Sequence, residues 1–544
     1  MVIAVVDDSG ILKAFLRMDG VKLLSVDIAQ NKAWTAASFG IATDQWHEFI
    51  KNDAPLLTGI PSTPRLIVFG GGYPIVANGQ VVGGYRLFGR SLQPGHGMRS
   101  SGAGGLVPGG VTMSGWTMAE KILMDHLVDG PAAVRPGQIV RARVDRILLN
   151  DVSGPLAFRQ FEAVGATKLS NPDQVVLVAD HFAPPPTIAA AHGIRQMRVF
   201  AERYGVTHYY EVGQGGIEHA LLPEQGLVAP GELIIGGDSH SCTYGAFNAF
   251  GTGLGSTDIA VALALGDLWF QIPQTLRFEF TGRPTAYVTG KDVILRVLQE
   301  IGVDGATYMA LEFSGEGIWA LNMDERMALC NMTVEAGAKA GMVEADPLLS
   351  AWAQERAVPS DKAVAADKDA IYRERYVLSL ADMPPLVAVP HSPGDVHSLD
   401  EVSGRHVDQV YIGNCANGTL TDLRQAAEIL RGRHVARGTR LIVVPATQHI
   451  YQQALEDGII EQLIEAGAAV STPTCGACFG GHMGLLDQDE VAVATTNRNF
   501  RGRMGHAKAE IYLGNAFVAA AAAVAGELID PVLITGGRER GEDL

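Results

Sequence analysis

Residues 474–481 read Thr-Cys-Gly-Ala-Cys-Phe-Gly-Gly, and a second cysteine loop, Gly413-Asn414-Cys415-Ala416-Asn417-Gly418, lies earlier in the chain. A Cys-x-x-Cys pair and one distant cysteine offer three thiolates. Three thiolates are typical of a cuboidal iron–sulfur cluster in which one iron has no protein ligand. A redox-active dithiol, a structural zinc site and buried cysteines without a role are the other interpretations that this spacing leaves open.

The composition is that of a large, well-packed α/β protein. The 544 residues are 47% hydrophobic and 19% charged, which excludes extensive disorder. The net charge of −17 argues against a nucleic-acid binder that relies on phosphate contacts. The five cysteines are too few for a disulfide framework, the N-terminus lacks the basic region of a signal peptide, and no apolar run is long enough to span a membrane. We therefore predict a soluble, cytoplasmic protein.

Residues 1–90 are predicted to form a separate small α/β domain, followed by a Gly/Ser/Pro-rich linker over residues 91–112. The helix predicted over Ser25–Phe39 buries Trp34 and Phe39. The predicted strands are Val2–Val6, Leu66–Gly70 and Ile75–Val82.

Three stretches of this domain, VVDDSGILKAFLRMDG, SVDIAQNKAWTAASFG and GGYPIVANGQVVGG, resemble the GlcG-like family. That family consists of small α/β domains found beside hydroxyacid catabolism and in some heme-binding proteins. Its first and last helices are missing here. His47 is a candidate heme ligand, with a surface histidine of no special role as the alternative. We expect a structural or oligomerising appendage.

From Ser114 onwards, strand-like apolar runs alternate with helical patterns, which predicts parallel α/β sheets. Residues able to do chemistry follow the predicted strands. They are Asp180-His181 after Val175–Ala179, Asp238-Ser239-His240 after Leu233–Gly236, Glu312 after Met309–Leu311, Cys415 after Val410–Ile412, Cys475 after Ala468–Ser471, and Asn497-Arg498 after Val491–Ala494. Because ligands bind beyond the carboxyl ends of parallel strands, we expect these residues to meet at one cleft.

The same region resembles the large subunit of the aconitase superfamily, in its 3-isopropylmalate dehydratase/homoaconitase branch. The motifs that carry the resemblance are LLNDVSGPLAF, VADHFAPPPTIAA, GGDSHSCTYGAFNAFGTGLGSTD, VDGATYMALEFSGEG, MALCNMTVEAGAKAG, YIGNCANG, TPTCGACFGGHMG and TTNRNFRGRMG. The resemblance implies an aconitase-type fold, with three α/β subdomains around a central cleft. We place two of them, with a helical connector, in residues 113–400 and the third in residues 401–544. It also implies that Cys415, Cys475 and Cys478 ligate a 4Fe–4S cluster.

The residue types suit the dehydration of a 2-hydroxy-dicarboxylate, in which an acid must protonate the departing hydroxide. Histidines held by carboxylates are suitable acids. The resemblance implies three pairs, Asp180–His181, Asp238–His219 and Glu312–His240, and His181 is the expected proton donor. For any one of these histidines, a satisfied core residue is the competing interpretation.

Substrate carboxylates require fixed cations and amides. Arg498 and Arg503, with Asn497, are the predicted clamp, and Ser239 is a further predicted substrate contact. A solvated basic turn is the alternative for the arginines. The glycines of Gly251–Gly255 lack the spacing of a dinucleotide loop and indicate close backbone packing instead. We expect Cys242 to line the cleft and Cys330 to lie in the core.

Aconitases complete their site with a swivelling domain that contributes a serine base within a GSSRE-like segment, and this sequence contains no such segment. We therefore expect a separate small subunit to supply the base. The predicted function is a hydro-lyase large subunit most like 3-isopropylmalate dehydratase, of the kind used in leucine biosynthesis. Homocitrate, dimethylmalate, citraconate and maleate are alternative substrates. The alternatives of other classes are an iron-sensing RNA-binding regulator and a heme-binding or scaffold protein built on residues 1–90.

Overall fold

The structure is a computed structural model that describes residues 2–17, 24–43, 65–67, 72–77, 80–86, 115–129 and 133–536. The chain divides into two compact units, Met1–Gly109 and Gly110–Leu544. His47, residues 68–70 of the predicted second strand, and the predicted linker over residues 91–112 lie outside the described residues.

The described residues of the first unit form a four-stranded antiparallel sheet of order β2-β1-β4-β3 and one helix. Its elements are β1 (Val2–Asp7), β2 (Leu12–Arg17), α1 (Leu24–Phe39), β3 (Gly72–Ala77) and β4 (Gln80–Arg86). The single strand predicted over Ile75–Val82 is wrong, because the chain reverses between β3 and β4, which pair antiparallel. The strand Leu12–Arg17 was not predicted.

The prediction that Phe39 is buried is also wrong, since its side chain is 47% exposed. The buried face of α1 carries Ala29, Ala33 and Ala37, at a spacing of four residues. This spacing follows the helical repeat, and Phe39 at the last position of the helix falls outside it.

The described residues of the second unit form four sheets. Its strands are β5 (Leu127–Asp129), β6 (Ile139–Arg143), β7 (Arg146–Asn150), β8 (Val175–Val178), β9 (His208–Tyr210), β10 (Leu233–Gly236), β11 (Phe250–Gly253), β12 (Asp267–Gln271), β13 (Thr275–Thr281), β14 (Ala310–Ser314), β15 (Ala340–Val343), β16 (Glu374–Ser379), β17 (Leu386–Ala388), β18 (Val396–Ser398), β19 (Gln409–Gly413), β20 (Arg440–Val444), β21 (Ala468–Val470), β22 (Val491–Ala494) and β23 (Glu510–Leu513).

Its helices begin with α2 (Met118–Asp125), α3 (Gly154–Ala163), α4 (Ile188–Tyr204), α5 (Glu218–Glu224), α6 (Ser256–Leu265), α7 (Gly290–Ile301), α8 (Glu316–Trp319) and α9 (Met323–Asn331). They continue with α10 (Pro347–Glu355), α11 (Leu399–Val402), α12 (Leu420–Leu430), α13 (Gln448–Glu456), α14 (Ile459–Glu465), α15 (Ala516–Ala525) and α16 (Pro531–Thr535). Within the described residues, none of the helices is both long and apolar enough to span a membrane.

Three of these sheets are wholly or mainly parallel, as the predicted α/β class requires. Their strand orders are β11-β10-β7-β8-β9, β15-β14-β13-β16 and β18-β17-β23-β22-β19-β20-β21. The pairs β17–β18 and β17–β23 of the third sheet are antiparallel. A smaller antiparallel sheet of order β12-β6-β5 completes the unit.

The buried strands β8, β10 and β22 read as continuous apolar runs because helices cover both faces of a parallel sheet. One large apolar cluster joins residues of all three parallel sheets, from Leu148 and Ile234 through Phe278 and Phe313 to Tyr411. A shared core therefore holds the three parallel sheets against one another.

Candidate functional site

The first cysteine loop leaves the carboxyl end of β19 at Gly413. Asn414 shapes this loop, because its Oδ1 accepts hydrogen bonds from the backbone N–H groups of Ala416 at 2.9 Å and Asn417 at 2.6 Å. These two bonds close a tight turn around Cys415, which is 5% exposed.

The second cysteine loop contains a 3-10 turn over Gly476–Phe479, which begins directly after Cys475 and includes Cys478. Gly476 has a φ of +59°, and a Cβ atom there would lie 2.6 Å from the hydroxyl of Tyr411. Glycine is therefore required between the two cysteines, both for its backbone angle and for the space beside β19.

The surroundings of the three cysteines suit thiolate ligands. The amide of Asn331 donates to the sulfur of Cys415 at 3.1 Å, and that of Asn497 donates to it at 3.5 Å. Amide donors stabilise the negative charge of a sulfur that binds metal. Burial raises the pKa of the free Cys415 thiol well above its usual value, while the hydrogen bonds from Asn331 and Asn497 act in the opposite direction and favour the thiolate.

The donor set also bears on the choice between zinc and an iron–sulfur cluster. Three thiolates around one zinc ion lie about 3.8 Å apart, given a zinc–sulfur distance of about 2.3 Å. Among the described residues, every group of three donor atoms within 4.8 Å of one another consists of carboxylates and a histidine, and the three cysteines do not form one. This spread fits a cluster of several irons better than a single ion.

His181 follows β8 and is held by two carboxylates. Asp180 Oδ1 accepts a hydrogen bond from His181 Nδ1 at 2.7 Å. Asp151, which follows β7, accepts the backbone N–H groups of Asp180, His181 and Phe182 at 2.8 to 2.9 Å. Sequence reasoning did not single out Asp151, although its position after a buried strand is the same signal that identified Asp180.

Hydrogen bonds join the second cysteine loop to Asp180, the neighbour of this histidine in the chain. The backbone carbonyl of Asp180 accepts the N–H of Cys475 at 2.9 Å and the hydroxyl of Thr474 at 3.0 Å. The ring of Phe479 lies 5.0 Å from the ring of His181. The predicted metal ligands and the predicted proton donor therefore belong to one site.

The second histidine pair agrees with its prediction in geometry. Asp238 follows β10, and its Oδ1 accepts from His219 Nε2 at 2.9 Å and from the backbone N–H of His240 at 2.7 Å. Tyr244 lies 3.0 Å from the other ring nitrogen of His219. These contacts fix the orientation of the His219 ring.

The predicted pairing of Glu312 with His240 is wrong, and Glu335 is the carboxylate that contacts His240. Glu335 Oε1 accepts from His240 Nε2 at 3.1 Å and from Arg498 Nε at 2.7 Å. Glu335 lies in a 3-10 turn over Met332–Ala336, which presents no strand end to mark it in the sequence.

Glu312 occupies a different environment. It lies inside β14 rather than after it, so the predicted strand Met309–Leu311 is displaced. Its carboxylate accepts from the backbone N–H of Ala119 at 3.2 Å and from the hydroxyl of Tyr372 at 2.7 Å. The carboxylate is fully buried, and these two hydrogen bonds satisfy it. Through them, Glu312 joins the start of α2 to the second parallel sheet.

This assignment predicts a pH-dependent effect of Glu312→Gln on stability. Burial raises the pKa of Glu312 from 4.5 to about 7. Between these values the unfolded chain loses the proton first, so stability falls as pH rises, and the loss is complete above pH 7. We expect the free energy of unfolding of the variant, relative to that of the wild type, to increase by about 2 kcal/mol between about pH 5 and pH 8. Urea unfolding of the wild type and the variant at these two pH values measures this change. A difference between the two proteins that does not vary with pH would contradict the prediction.

Glu218, which directly precedes His219 in the chain, has a buried carboxyl group that sequence reasoning missed. Its Oε1 accepts from the amide of Asn150 at 2.8 Å, and its Oε2 is buried without a partner. One atom able to bind a metal ion from each of Glu218, His181 and Asp238 lies within 4.8 Å of the other two. The sequence signal that could have identified it is its position directly before His219.

Burial and neighbouring charges shift the pKa values of these groups in different directions. Burial and the nearby charges of Asp180 and Asp238 raise the pKa of Glu218 well above its usual value. Burial opposes ionisation of Asp238, but hydrogen bonds from His219 and His240 outweigh it and hold its pKa well below its usual value. Burial lowers the pKa of His181, but the charge of Asp180 and its hydrogen bond outweigh this and raise it well above its usual value.

The residues predicted to clamp the substrate follow β22 and lie at the same site. Arg498 is bound to Glu335, and Arg503 Nε donates to the carbonyl of Cys478 at 2.6 Å. The buried amide of Asn497 donates to Asn331 at 2.8 Å as well as to Cys415. Lys291, which was not predicted, donates to the carbonyls of Thr495 at 2.9 Å and Thr496 at 2.7 Å and so supports the backbone before Asn497.

The remaining sequence predictions concern glycines and cysteines. A Cβ at Gly253 would lie 2.5 Å from the carbonyl oxygen of Asp238, which confirms close backbone packing in this loop. Cys330 is fully buried in the largest apolar cluster, as predicted. Cys242 is also buried, and its sulfur donates to the carbonyl of Asn331 at 3.1 Å.

Comparison with known proteins identifies relatives of both parts of the chain. The family described as aconitase (aconitate hydratase) matches residues 120–526, and the family described as haem degrading protein HbpS-like matches residues 1–93. The 3-isopropylmalate dehydratase large subunit 2 of Rubrobacter xylanophilus is 51% identical over 418 residues, which cover 77% of this chain and 98% of that protein. The 3-isopropylmalate dehydratase large subunit of Acetivibrio thermocellus is 48% identical over 417 residues, which cover 77% and 99%.

Among solved structures, the aconitase X of Thermococcus kodakaraensis aligns with a TM-score of 0.41 and 14% identity. The alignment covers 70% of this chain and 90% of that one.

Proposed function

The chain belongs to the aconitase family, and on that premise we propose that it is the large subunit of an iron–sulfur hydro-lyase acting on a 2-hydroxy-dicarboxylate. The reaction is the removal and return of water, as in the 3-isopropylmalate dehydratases to which the chain is similar. The observation that carries this proposal is the pair of hydrogen bonds from Thr474 and Cys475 to the carbonyl of Asp180. They place the Cys-x-x-Cys loop directly beside Asp180, the residue whose carboxylate holds the ring of His181.

Cys415, Cys475 and Cys478 are the residues that would hold a 4Fe–4S cluster, and their donor set fits it. When bound, such a cluster supplies a Lewis acid for the hydroxyl group of the substrate. Asn331 and Asn497 orient the sulfur of Cys415 through their amides. We therefore assign Asn497 to ligand positioning in addition to its predicted place in the substrate clamp.

His181 is the proton donor in this proposal. Asp180 holds Nδ1 of its ring, so Nε2 is free to protonate the departing hydroxyl. Nε2 lies 3.8 Å from a carboxylate oxygen of Asp238, which favours the imidazolium without binding it closely. The hydrogen-bonded pair of His219 and Asp238 borders the site next to His181. Glu335 orients His240.

Arg498 and Arg503 bind the substrate carboxylates, and Ser239 at the end of β10 adds a hydroxyl. Arg498 uses Nε for Glu335 and Arg503 uses Nε for a backbone carbonyl, so both are fixed at one end. The terminal nitrogens remain available for a bidentate contact with a carboxylate. A guanidinium fixed in this way loses little freedom on binding.

A small subunit completes the site by supplying the base that removes the carbon-bound proton. We expect the purified chain with intact cluster to be inactive alone, and addition of the small subunit to restore turnover of 3-isopropylmalate. Formation of the unsaturated diacid, followed by ultraviolet absorbance, measures it. Homocitrate in the same assay is the control for substrate class. Full turnover by the chain alone would refute the shared site, and no turnover of either hydroxy acid by the complex would refute the proposed function.

A further inference from the structure

Lys291 is a fully buried lysine in the first turn of α7. Its side chain is 0% exposed, and no carboxylate among the described residues forms a salt bridge with it. Lysine is rarely buried in full without an anionic partner, and a cation at the amino end of a helix also opposes the helix dipole. A residue placed against two such preferences points to a role beyond packing.

The partners of Lys291 are two backbone carbonyls beyond the end of β22. Its Nζ donates to the carbonyl of Thr495 at 2.9 Å and to that of Thr496 at 2.7 Å. Since β22 ends at Ala494, both carbonyls belong to the short segment that leads from the strand to Asn497. Lys291 therefore fixes the backbone at the point where the chain enters the site.

The peptide group between Thr496 and Asn497 joins Lys291 to a predicted cluster ligand. Its carbonyl accepts from Lys291, and its N–H donates to the sulfur of Cys478. The hydrogen bond with Cys475 does most to hold the pKa of Cys478 well below its usual value, and the bond from Asn497 acts in the same direction. Hydrogen bonds in a chain polarise one another, so a cation at the carbonyl strengthens the N–H donor at the other end.

The charge of Lys291 also acts on the cysteines through space. Burial lowers the pKa of Lys291 to about 8, while the negative charges of Cys478, Asp422 and Cys415 act in the opposite direction. This interaction is mutual, so the ammonium favours negative charge on the two sulfurs. The side chain of Asn497 adds to the effect, because its amide donates to Cys415 at 3.5 Å.

We propose that Lys291 is a positioning residue that raises the reduction potential of the iron–sulfur cluster. It holds the segment before Asn497 so that the N–H and the side-chain amide of that residue reach two ligand sulfurs, and its charge favours the reduced cluster. Hydrogen bonds to the sulfurs and net charge are two of the factors that set the potential of such clusters. The inference rests on the proposed function, because it requires a cluster on Cys415, Cys475 and Cys478.

The test is a redox titration of the full chain with its cluster reconstituted anaerobically, followed by the electron paramagnetic resonance signal of the reduced cluster. Lys291→Met removes the charge and the donors but keeps a side chain of similar length. We expect the equilibrium constant for one-electron reduction to fall about 10-fold, which makes the potential about 59 mV more negative. Lys291→Arg keeps a charged donor, and we expect it to return the potential towards that of the wild type.

Lys362→Met is the matched control for the change in net charge. Lys362 is a surface lysine of the same unit, with a side chain that is 60% exposed and paired with Asp125. Because solvent and salt screen such a charge, the control should have the potential of the wild type. Should Lys291→Met not fold, Lys291→Gln loses the charge but keeps an N–H donor, and we expect it to shift the potential in the same direction.

The outcomes separate this inference from the proposed function. A wild type that holds no cluster would refute the proposed function and the inference with it. A wild type with a cluster whose potential is unchanged in Lys291→Met would overturn the inference alone, and lower stability of that variant in urea would then assign Lys291 to the fold. An equal shift in Lys362→Met would also overturn it, because the loss of any positive charge would then suffice.

Discussion

Replacing Cys478 by alanine is expected to abolish iron–sulfur cluster binding and, with it, dehydratase activity. Two thiolates cannot replace three, and Cys478 is one of the two ligands of the Cys-x-x-Cys loop. We expect the wild type to hold about four irons and four sulfides per chain, and the variant to retain almost none. Activity with the small subunit should fall at least about 1,000-fold, because a Lewis acid contributes several kcal/mol to transition-state stabilisation. Iron and sulfide analysis after anaerobic reconstitution, with visible absorption, measures the first effect.

Cys242→Ala is the matched control for this experiment. Cys242 is a buried cysteine of the same unit, 1% exposed, whose thiol donates to the carbonyl of Asn331. Its loss removes a thiol of the same size and leaves Cys415, Cys475 and Cys478 intact. Cluster content equal to that of the wild type is expected for Cys242→Ala. Equal cluster content in Cys478→Ala would show that this cysteine is not a ligand.

His181→Asn is expected to lower the turnover number by about 100-fold to 10,000-fold, the usual contribution of a positioned acid. The amide nitrogen of asparagine reproduces Nδ1 and keeps the hydrogen bond to Asp180, so the loop before Cys475 should not move. What is lost is the proton at Nε2. Steady-state kinetics with the small subunit measure the effect, and unchanged cluster absorption shows that the cysteine site is intact.

The chain offers a second buried histidine–carboxylate pair as control. His126 Nε2 lies 2.6 Å from Asp145, whose carboxylate accepts the backbone N–H of Leu233 at the amino end of β10. His126→Gln keeps a nitrogen near the position of Nε2, and we expect its turnover number to stay within about threefold of the wild type. A comparable loss in His126→Gln and His181→Asn would indicate a structural effect of removing any buried histidine, and would remove His181 from the mechanism.

Much of the fold follows from local sequence patterns. The strands β10 and β22 have the predicted bounds, because continuous apolar runs ending in Gly or polar residues mark strands buried on both faces. The rule that ligands meet the carboxyl ends of strands placed Asp180, Asp238 and Cys415 correctly beside those ends. These residues are identified without knowledge of tertiary contacts.

The missed residues depend on contacts between distant parts of the chain. Glu335 binds His240, which is 95 positions away, and it lies in a 3-10 turn without periodic pattern. Glu312 follows an apolar run, but the strand continues through Phe313 and Ser314, so the carboxylate lies within the sheet. A carboxylate inside a strand and one after it have the same local sequence, and only packing of α2 against β14 separates them.

The N-terminal predictions failed for a related reason. The pattern of α1 contains many alanines, and its buried stripe follows Ala29, Ala33 and Ala37 rather than the aromatic residues. The segment 75–82 contains Asn78-Gly79, a dipeptide that favours a two-residue hairpin turn, and the strands β3 and β4 on either side of it pair antiparallel. This local signal favours a hairpin over the single strand that the apolar run predicts.

The most direct test of the account is Mössbauer spectroscopy of the iron-57-reconstituted chain with its small subunit, before and after addition of 3-isopropylmalate. Three cysteine ligands leave one iron of a 4Fe–4S cluster without a protein ligand, so we predict that the signal of one iron in four changes on substrate addition. A spectrum without a cluster, or a cluster whose irons all stay unchanged with substrate bound, would contradict the account.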